Sequence, residues 1–203
     1  MISLDDIKKL RKTVIFQGKS QPKFAKLKKP TNEHMAEKYS NPNNIDESGS
    51  ITEADVELLY ELIKKFKPKT ILEIGTWLGT SAMVMDLASE PGTTIYTCDK
   101  HDVCTYESFN VHKYIGMSTG FFDKMITDGV KADFVFLDGR LQGDEGKLLQ
   151  CTTNSFIVFV HDYEKPKKGW KNIRALQKLF PDDAAIMRPS KDTALMIINR
   201  GDE

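Results

Sequence analysis

The chain has 203 residues, 40% hydrophobic and 29% charged, the profile of one globular domain with a substantial core rather than of a disordered chain. Its 29 Lys/Arg balance 29 Asp/Glu, and no run approaches the roughly 18 apolar residues of a membrane span. The opening MISLDDIKKLRK has no apolar segment, so no secretory signal is expected; Cys98, Cys104 and Cys151 form neither a disulfide framework nor a metal pattern, which fits the cytoplasm.

The charge is unevenly placed. Residues 1–31 hold nine Lys/Arg against Asp5 and Asp6, a net +7 balanced by −7 over the rest. A basic arm of this kind suits an anionic partner or its own acidic body. Residues 13–50 have little periodicity, and SNPNNIDESGS at 40–50 is a loop by composition. The expected division is therefore a basic arm and loop over 1–50, lying across a cleft, and a folded domain over 51–203.

Periodic structure starts at Thr52, which with Asp55 has the form of a capping box. Val56, Leu59, Ile63 and Phe66 follow at helical spacing, and Lys64, Lys65 and Pro68 mark the end of that helix. Then come a strand in TILEIG, a helix in GTSAMVMDLASE stopped by Pro91-Gly92, and a strand in TTIYTCD. A short helix or loop at 103–110 leads to a weaker strand, VHKYIGM, and a helix over about 120–129. ADFVFLD is a strongly apolar strand, followed by a polar helical stretch and the strand SFIVFVHD. A helix around 169–179 carries Trp170, Ile173, Leu176 and Leu179 on one stripe and precedes the strands AAIMRP and TALMIINR.

TILEI, FVFL and FIVFV are continuous apolar runs, as expected of strands covered on both faces. Alternation of β and α elements predicts an α/β fold, a doubly wound, mostly parallel Rossmann-like sheet of seven strands. The link PSKD is too short for a crossover, so one strand near the C-terminus should run antiparallel.

In such a sheet ligands bind beyond the carboxyl ends of the strands. Gly75 and Gly79 lie in the first such turn, and Thr80 and Ser81 open the next helix, where free N–H groups favour a carboxylate or phosphate. A dinucleotide fingerprint needs a glycine two residues after Gly75, but Trp77 stands there; a Walker A loop fails because no GK[ST] follows. Asp99, Ser118, Asp138 and the pair His161-Asp162 lie at the carboxyl ends of the following strands, so polar groups should converge on one crevice. His34, His101 and His112 form no metal spacing, and Trp170 suits the core.

The segments LEIGTWLGTSA, TCD, IGMS, FVFLDGR and VFVHDY carry a family resemblance. From about residue 51 to 199 the chain resembles the class I S-adenosylmethionine-dependent methyltransferases. Within them it looks like the small-molecule O-methyltransferases of the catechol O-methyltransferase type and the macrocin O-methyltransferase-like group. The resemblance implies S-adenosylmethionine as cofactor, with Glu73, Gly75, Trp77, Gly79 and Ser81 around its methionine part. Asp99 would meet the ribose, Met117 and Ser118 the adenine side, and Asp138 would also border the cofactor.

The resemblance further implies that Asp138, His161 and Asp162 form a metal cluster. The aspartates suit Mg²⁺, whereas His161 suits a transition metal such as Mn²⁺ better. Related enzymes often carry a Lys or His base three residues after the first metal aspartate, and Leu141 stands there. His161, beside Asp138, is then the candidate catalytic base, while Arg140 can bind an anion but not take a proton. The expected activity is O-methylation of a small hydroxylated acceptor, a sugar or phenol. Leu141 leaves open a cofactor-binding protein without chemistry. No N/D-P-P-Y/W motif supports a nucleic-acid substrate, and a homo-oligomer is compatible with the sequence.

Overall fold

Helix α1 (Glu53–Phe66) leads into strand β1 (Thr70–Ile74), and α2 (Thr80–Ala88) into β2 (Thr94–Asp99). Strand β3 (Val111–Ile115) is followed by α3 (Ser118–Thr127), β4 (Ala132–Leu137), α4 (Glu145–Gln150) and β5 (Thr152–Val160). Helix α5 (Lys168–Leu179) and the strands β6 (Ala184–Met187) and β7 (Ala194–Asn199) complete the chain order. This is a computed structural model, which describes residues 51, 53–141, 143–164, 166–181, 184–189 and 192–200. The arm and loop expected over 1–50, His34, Thr52 of the capping box, and Ser190-Lys191 of the polar link lie outside the described residues.

The strands form one seven-stranded sheet in the order β3-β2-β1-β4-β5-β7-β6. Pairing is parallel from β3 through β5. Strand β7 runs antiparallel between β5 and β6, as a short link between the last two strands requires. The order reverses between β1 and β4, and this switch point opens a crevice at the carboxyl ends of the strands.

Alternation along the central strands explains the layers. Val135 and Leu137 of β4, with Phe156, Val158 and Val160 of β5, pack on one face with Phe121, Phe122, Leu148, Ile173 and Leu176 from α3, α4 and α5. Phe134, Phe136, Ile157 and Phe159 point the other way, onto Leu59, Leu62 and Ile63 of α1 and Val84 and Met85 of α2. Both side-chain sets of β4 and β5 are therefore buried, which is why these segments read as unbroken apolar runs. Strand β3 forms one edge of the sheet and buries only Val111, in keeping with its weaker pattern.

Some boundaries differ from expectation. Residues 103–110, expected as a short helix or loop, are a loop, held through Tyr106 Oη to Asp86 (2.7 Å) and Asn110 Nδ2 to Asp86 (3.0 Å). Strand β5 starts three residues before Ser155, because Thr152 pairs with Ala132 ahead of a register shift. Trp170 is half-buried rather than fully in the core, and His112 stacks on Tyr96 with ring centroids 5.2 Å apart.

Candidate active site

The β1–α2 turn is built from left-handed backbone: Gly75, Trp77 and Gly79 have φ of 100°, 48° and 93°. A side chain at Gly75 would meet Gly139 N at 2.8 Å and the carbonyl carbon of Asp138 at 2.9 Å, so the turns after β1 and β4 touch across the switch point. Trp77 adopts a conformation that costs a bulky residue free energy, and such strain collects at functional sites.

This conformation has a local consequence. Trp77 N–H donates to Asp99 Oδ2 and His101 N–H to Asp99 Oδ1, each at 2.9 Å. The two backbone donors fix the carboxylate at the end of β2. Each of its oxygens keeps acceptor capacity for a further hydroxyl.

Beneath the turn, Glu73 is fully buried. Ser81 Oγ and Thr97 Oγ1 both donate to its carboxylate, and Thr76 Oγ1 bonds Thr97 Oγ1. Burial pushes the Glu73 carboxyl up to about 7, against the opposing pull of the Ser81 and Thr97 hydroxyls. Ser81 was expected to face a ligand carboxylate, but its one hydroxyl hydrogen is committed to Glu73 and its side chain is buried. The amides at the start of α2 lie at the same place, where a helix N-terminus favours an anion.

On the other side of the crevice, Ser118 opens α3, and its Oγ donates to Asp144 Oδ2 at 2.9 Å. Thr119 Oγ1 adds a second bond to the same carboxylate at 2.8 Å. Ile115 and Met117 are about half exposed beside them and offer apolar surface at the end of β3.

Asp138, His161 and Asp162 come together as expected, with one candidate ligand atom from each lying within 4.8 Å of the others. Two further residues enter this group that the sequence reading did not assign to it. His161 Nδ1 lies 2.9 Å from Asp138 Oδ1, while its Nε2 faces Asp55 Oδ2 at 3.5 Å. Asp55, read as part of a capping box whose Thr52 lies outside the described residues, is a buried partner of His161. Lys168 Nζ lies 2.8 Å from Asp138 Oδ1 and 3.3 Å from Asp162 Oδ2. Burial works against charge on His161, but the bonds to Asp138 and Asp55 and the charges of Asp138 and Asp162 outweigh it and push its pKa up to about 10.

Two expectations change as a result. The carboxylates at the two nitrogens of His161 favour the charged ring, and a charged ring has no lone pair for a proton or a metal. The expected divalent metal does not fit this donor set either, because both ring nitrogens face carboxylates and an ammonium bridges the two aspartates. Leu141, at the position where related enzymes often carry a base, is 1% exposed and part of the core. Signals for the two missed residues existed but were weak: Lys168 is a cation at a helix start, where the dipole disfavours it, and Asp55 is an acid among core positions.

No protein-family model matches the chain, and no curated protein sequence matches it. The structure is similar to solved methyltransferases. One is the O-methyltransferase TomG from Streptomyces achromogenes, involved in tomaymycin synthesis and solved with SAM, at 16% identity over 85% of this chain and 92% of that one, TM-score 0.63. A second is the O-methyltransferase from Bacillus cereus in complex with SAH, at 13% identity over 83% of this chain and 91% of that one, TM-score 0.62. A third is the SAH-bound methyltransferase PaMTH1 of Podospora anserina, at 14% identity over 100% of this chain and 99% of that one, TM-score 0.63. The fold is the Rossmann-like fold of class I S-adenosylmethionine-dependent O-methyltransferases. Among the described residues no helix is long and apolar enough to cross a membrane.

Proposed function

We propose that the protein transfers a methyl group from S-adenosylmethionine to an oxygen of a small hydroxylated molecule, a sugar or phenol. The observation that carries this reading is the Asp99 carboxylate, fixed by the Trp77 and His101 amides at the edge of the switch-point crevice. A ribose diol fits such a carboxylate, and the N-terminus of α2 fits the methionine carboxylate. Gly75 and Gly139 let the turns after β1 and β4 close on each other at the switch point, and Ile115 and Met117 suit the adenine. The fold shared with enzymes solved with SAM or SAH supports the same cofactor.

When bound, the cofactor supplies a sulfonium methyl that passes to the acceptor oxygen as the carbon–sulfur bond breaks, its electron pair staying on sulfur and the hydroxyl proton leaving to solvent. The chain's own contribution is alignment, which is worth much in a two-reactant step. The donor set at Asp138 and Asp162 does not favour metal assistance. Three free cysteines, two of them buried, suit a reducing, cytoplasmic setting.

Calorimetry with S-adenosylmethionine and S-adenosylhomocysteine tests the reading. Both should bind, and Asp99→Ala should weaken binding by about 10- to 100-fold, since a hydrogen bond to a charged group is worth roughly 1.5–3 kcal/mol. Absence of heat with the wild-type protein, or an unchanged affinity in the variant, would count against it. A methyl-release assay over hydroxylated acceptors then tests turnover. The basic segment 1–50 is proposed to select the acceptor over the cleft of the domain at 51–203. Deleting residues 1–45 should lower acceptor turnover at least tenfold while cofactor affinity stays within about twofold; equal loss of both would refute that role.

A further inference from the structure

Lys168 sits in the first turn of α5, where the positive end of the helix dipole disfavours a cation. Its ammonium turns back onto the ends of β4 and β5, to Asp138 Oδ1 at 2.8 Å and Asp162 Oδ2 at 3.3 Å. Two backbone features bring it there. Asp162 has the left-handed φ of 55°, which turns the chain sharply after β5. Gly169 presents no Cβ, so the helix start closes on that turn and its N–H bonds Asp162 O at 3.1 Å.

The carboxylates of Asp55, Asp138 and Asp162 already face the His161 ring and the Lys168 ammonium, and Lys167 Nζ, shared with Glu164 and Asp192, lies 3.6 Å from Asp162 Oδ1. A divalent ion between Asp138 and Asp162 would meet the ammonium that already bridges them.

We propose that Lys168 is the built-in cation of this centre, taking between Asp138 and Asp162 the place of a divalent metal, so that the protein neither needs nor binds one. The inference rests on the methyltransferase reading only for the use to which the centre is put. Its consequence for that reading is methyl transfer that a chelator leaves unchanged.

The test uses the full chain and Mn²⁺ alone, following the free ion by electron paramagnetic resonance. Wild-type protein should leave Mn²⁺ free up to about millimolar concentration, the weak end of protein cation sites. Lys168→Met should take up one Mn²⁺ at least tenfold more tightly, Lys168→Arg should not, and adding Asp162→Asn to Lys168→Met should abolish the gain. The proposal is overturned by a wild-type Mn²⁺ site that Asp162→Asn removes, or by a Lys168→Met protein that binds no better than wild type. Should Lys168→Met fail to fold, Lys168→Gln replaces it, and the wild-type titration decides on its own. Because no S-adenosylmethionine is present, failure of the cofactor calorimetry leaves this result readable, and the reverse holds.

Discussion

Gly169→Ala is expected to destabilise the protein by about 3 kcal/mol or more, the upper range for overpacking a tight site. A Cβ at this position would press into His161 O and lie 2.8 Å from both Asp162 O and Val160 Cγ1. Two of these three neighbours are backbone atoms of the turn after β5, which cannot swing aside as a long side chain could. Relief requires the start of α5 to lift, which breaks the bond from Gly169 N–H to Asp162 O and withdraws Lys168 from Asp138. Gly146→Ala is the control, because Gly146 lies in α4 and a Cβ there meets nothing within 4 Å. That change should be neutral or stabilise by up to about 1 kcal/mol through helix propensity. Urea unfolding checks both, as a fall in midpoint at unchanged slope for Gly169→Ala and no fall for Gly146→Ala. A small Gly169→Ala effect would mean that α5 is free to move away from β5.

The sheet was legible because burial on both faces writes itself locally. FVFL and FIVFV are apolar at every position, and Asp138 and Asp162 beyond them mark where burial ends. The antiparallel strand followed from chain length alone. What did not show was any feature made by two distant segments meeting. Lys168 reaches Asp138 only because Asp162 adopts a left-handed φ and Gly169 lacks a side chain. A basic residue ahead of an amphipathic helix looks the same with or without that closure. Asp55 sits three residues after Thr52 and so fits a local cap by spacing, yet it is buried against His161, over a hundred residues away. Asp138 first and this Asp55 contact second favour the charged ring of His161, which works against the base that the sequence suggested. Residues 103–110 were ambiguous for another reason: Tyr106 and Asn110 anchor them on Asp86 without any periodic pattern.

Asp138→Ala is expected to cost about 3–5 kcal/mol at neutral pH, as breaking a buried charge pair does when its partners stay behind. Asp138 is the shared partner here, 2.9 Å from His161 Nδ1 and 2.8 Å from Lys168 Nζ, with side-chain exposures of 11%, 10% and 29% for the three residues. The loss should depend on pH, and its sign follows from His161. In the wild-type protein its pKa is raised from 6.5 to about 10. The folded state therefore binds more protons than the unfolded state between those values, and stability falls as pH rises through them. The contribution is complete below about 6.5 and gone above about 10. Without Asp138 the ring keeps Asp55 and Asp162 but loses its nearest partner, so its folded pKa drops toward the unfolded value. Lys168 stays charged on both sides of this window, since its pKa is raised above 10.5. The gap between wild type and Asp138→Ala should thus be widest near pH 6 and narrow toward pH 10 as the wild-type contribution is lost. Unfolding midpoints across that range measure it. A gap that is flat or grows with pH would show that His161 is not held as an imidazolium by Asp138, and would return it to candidacy as the base.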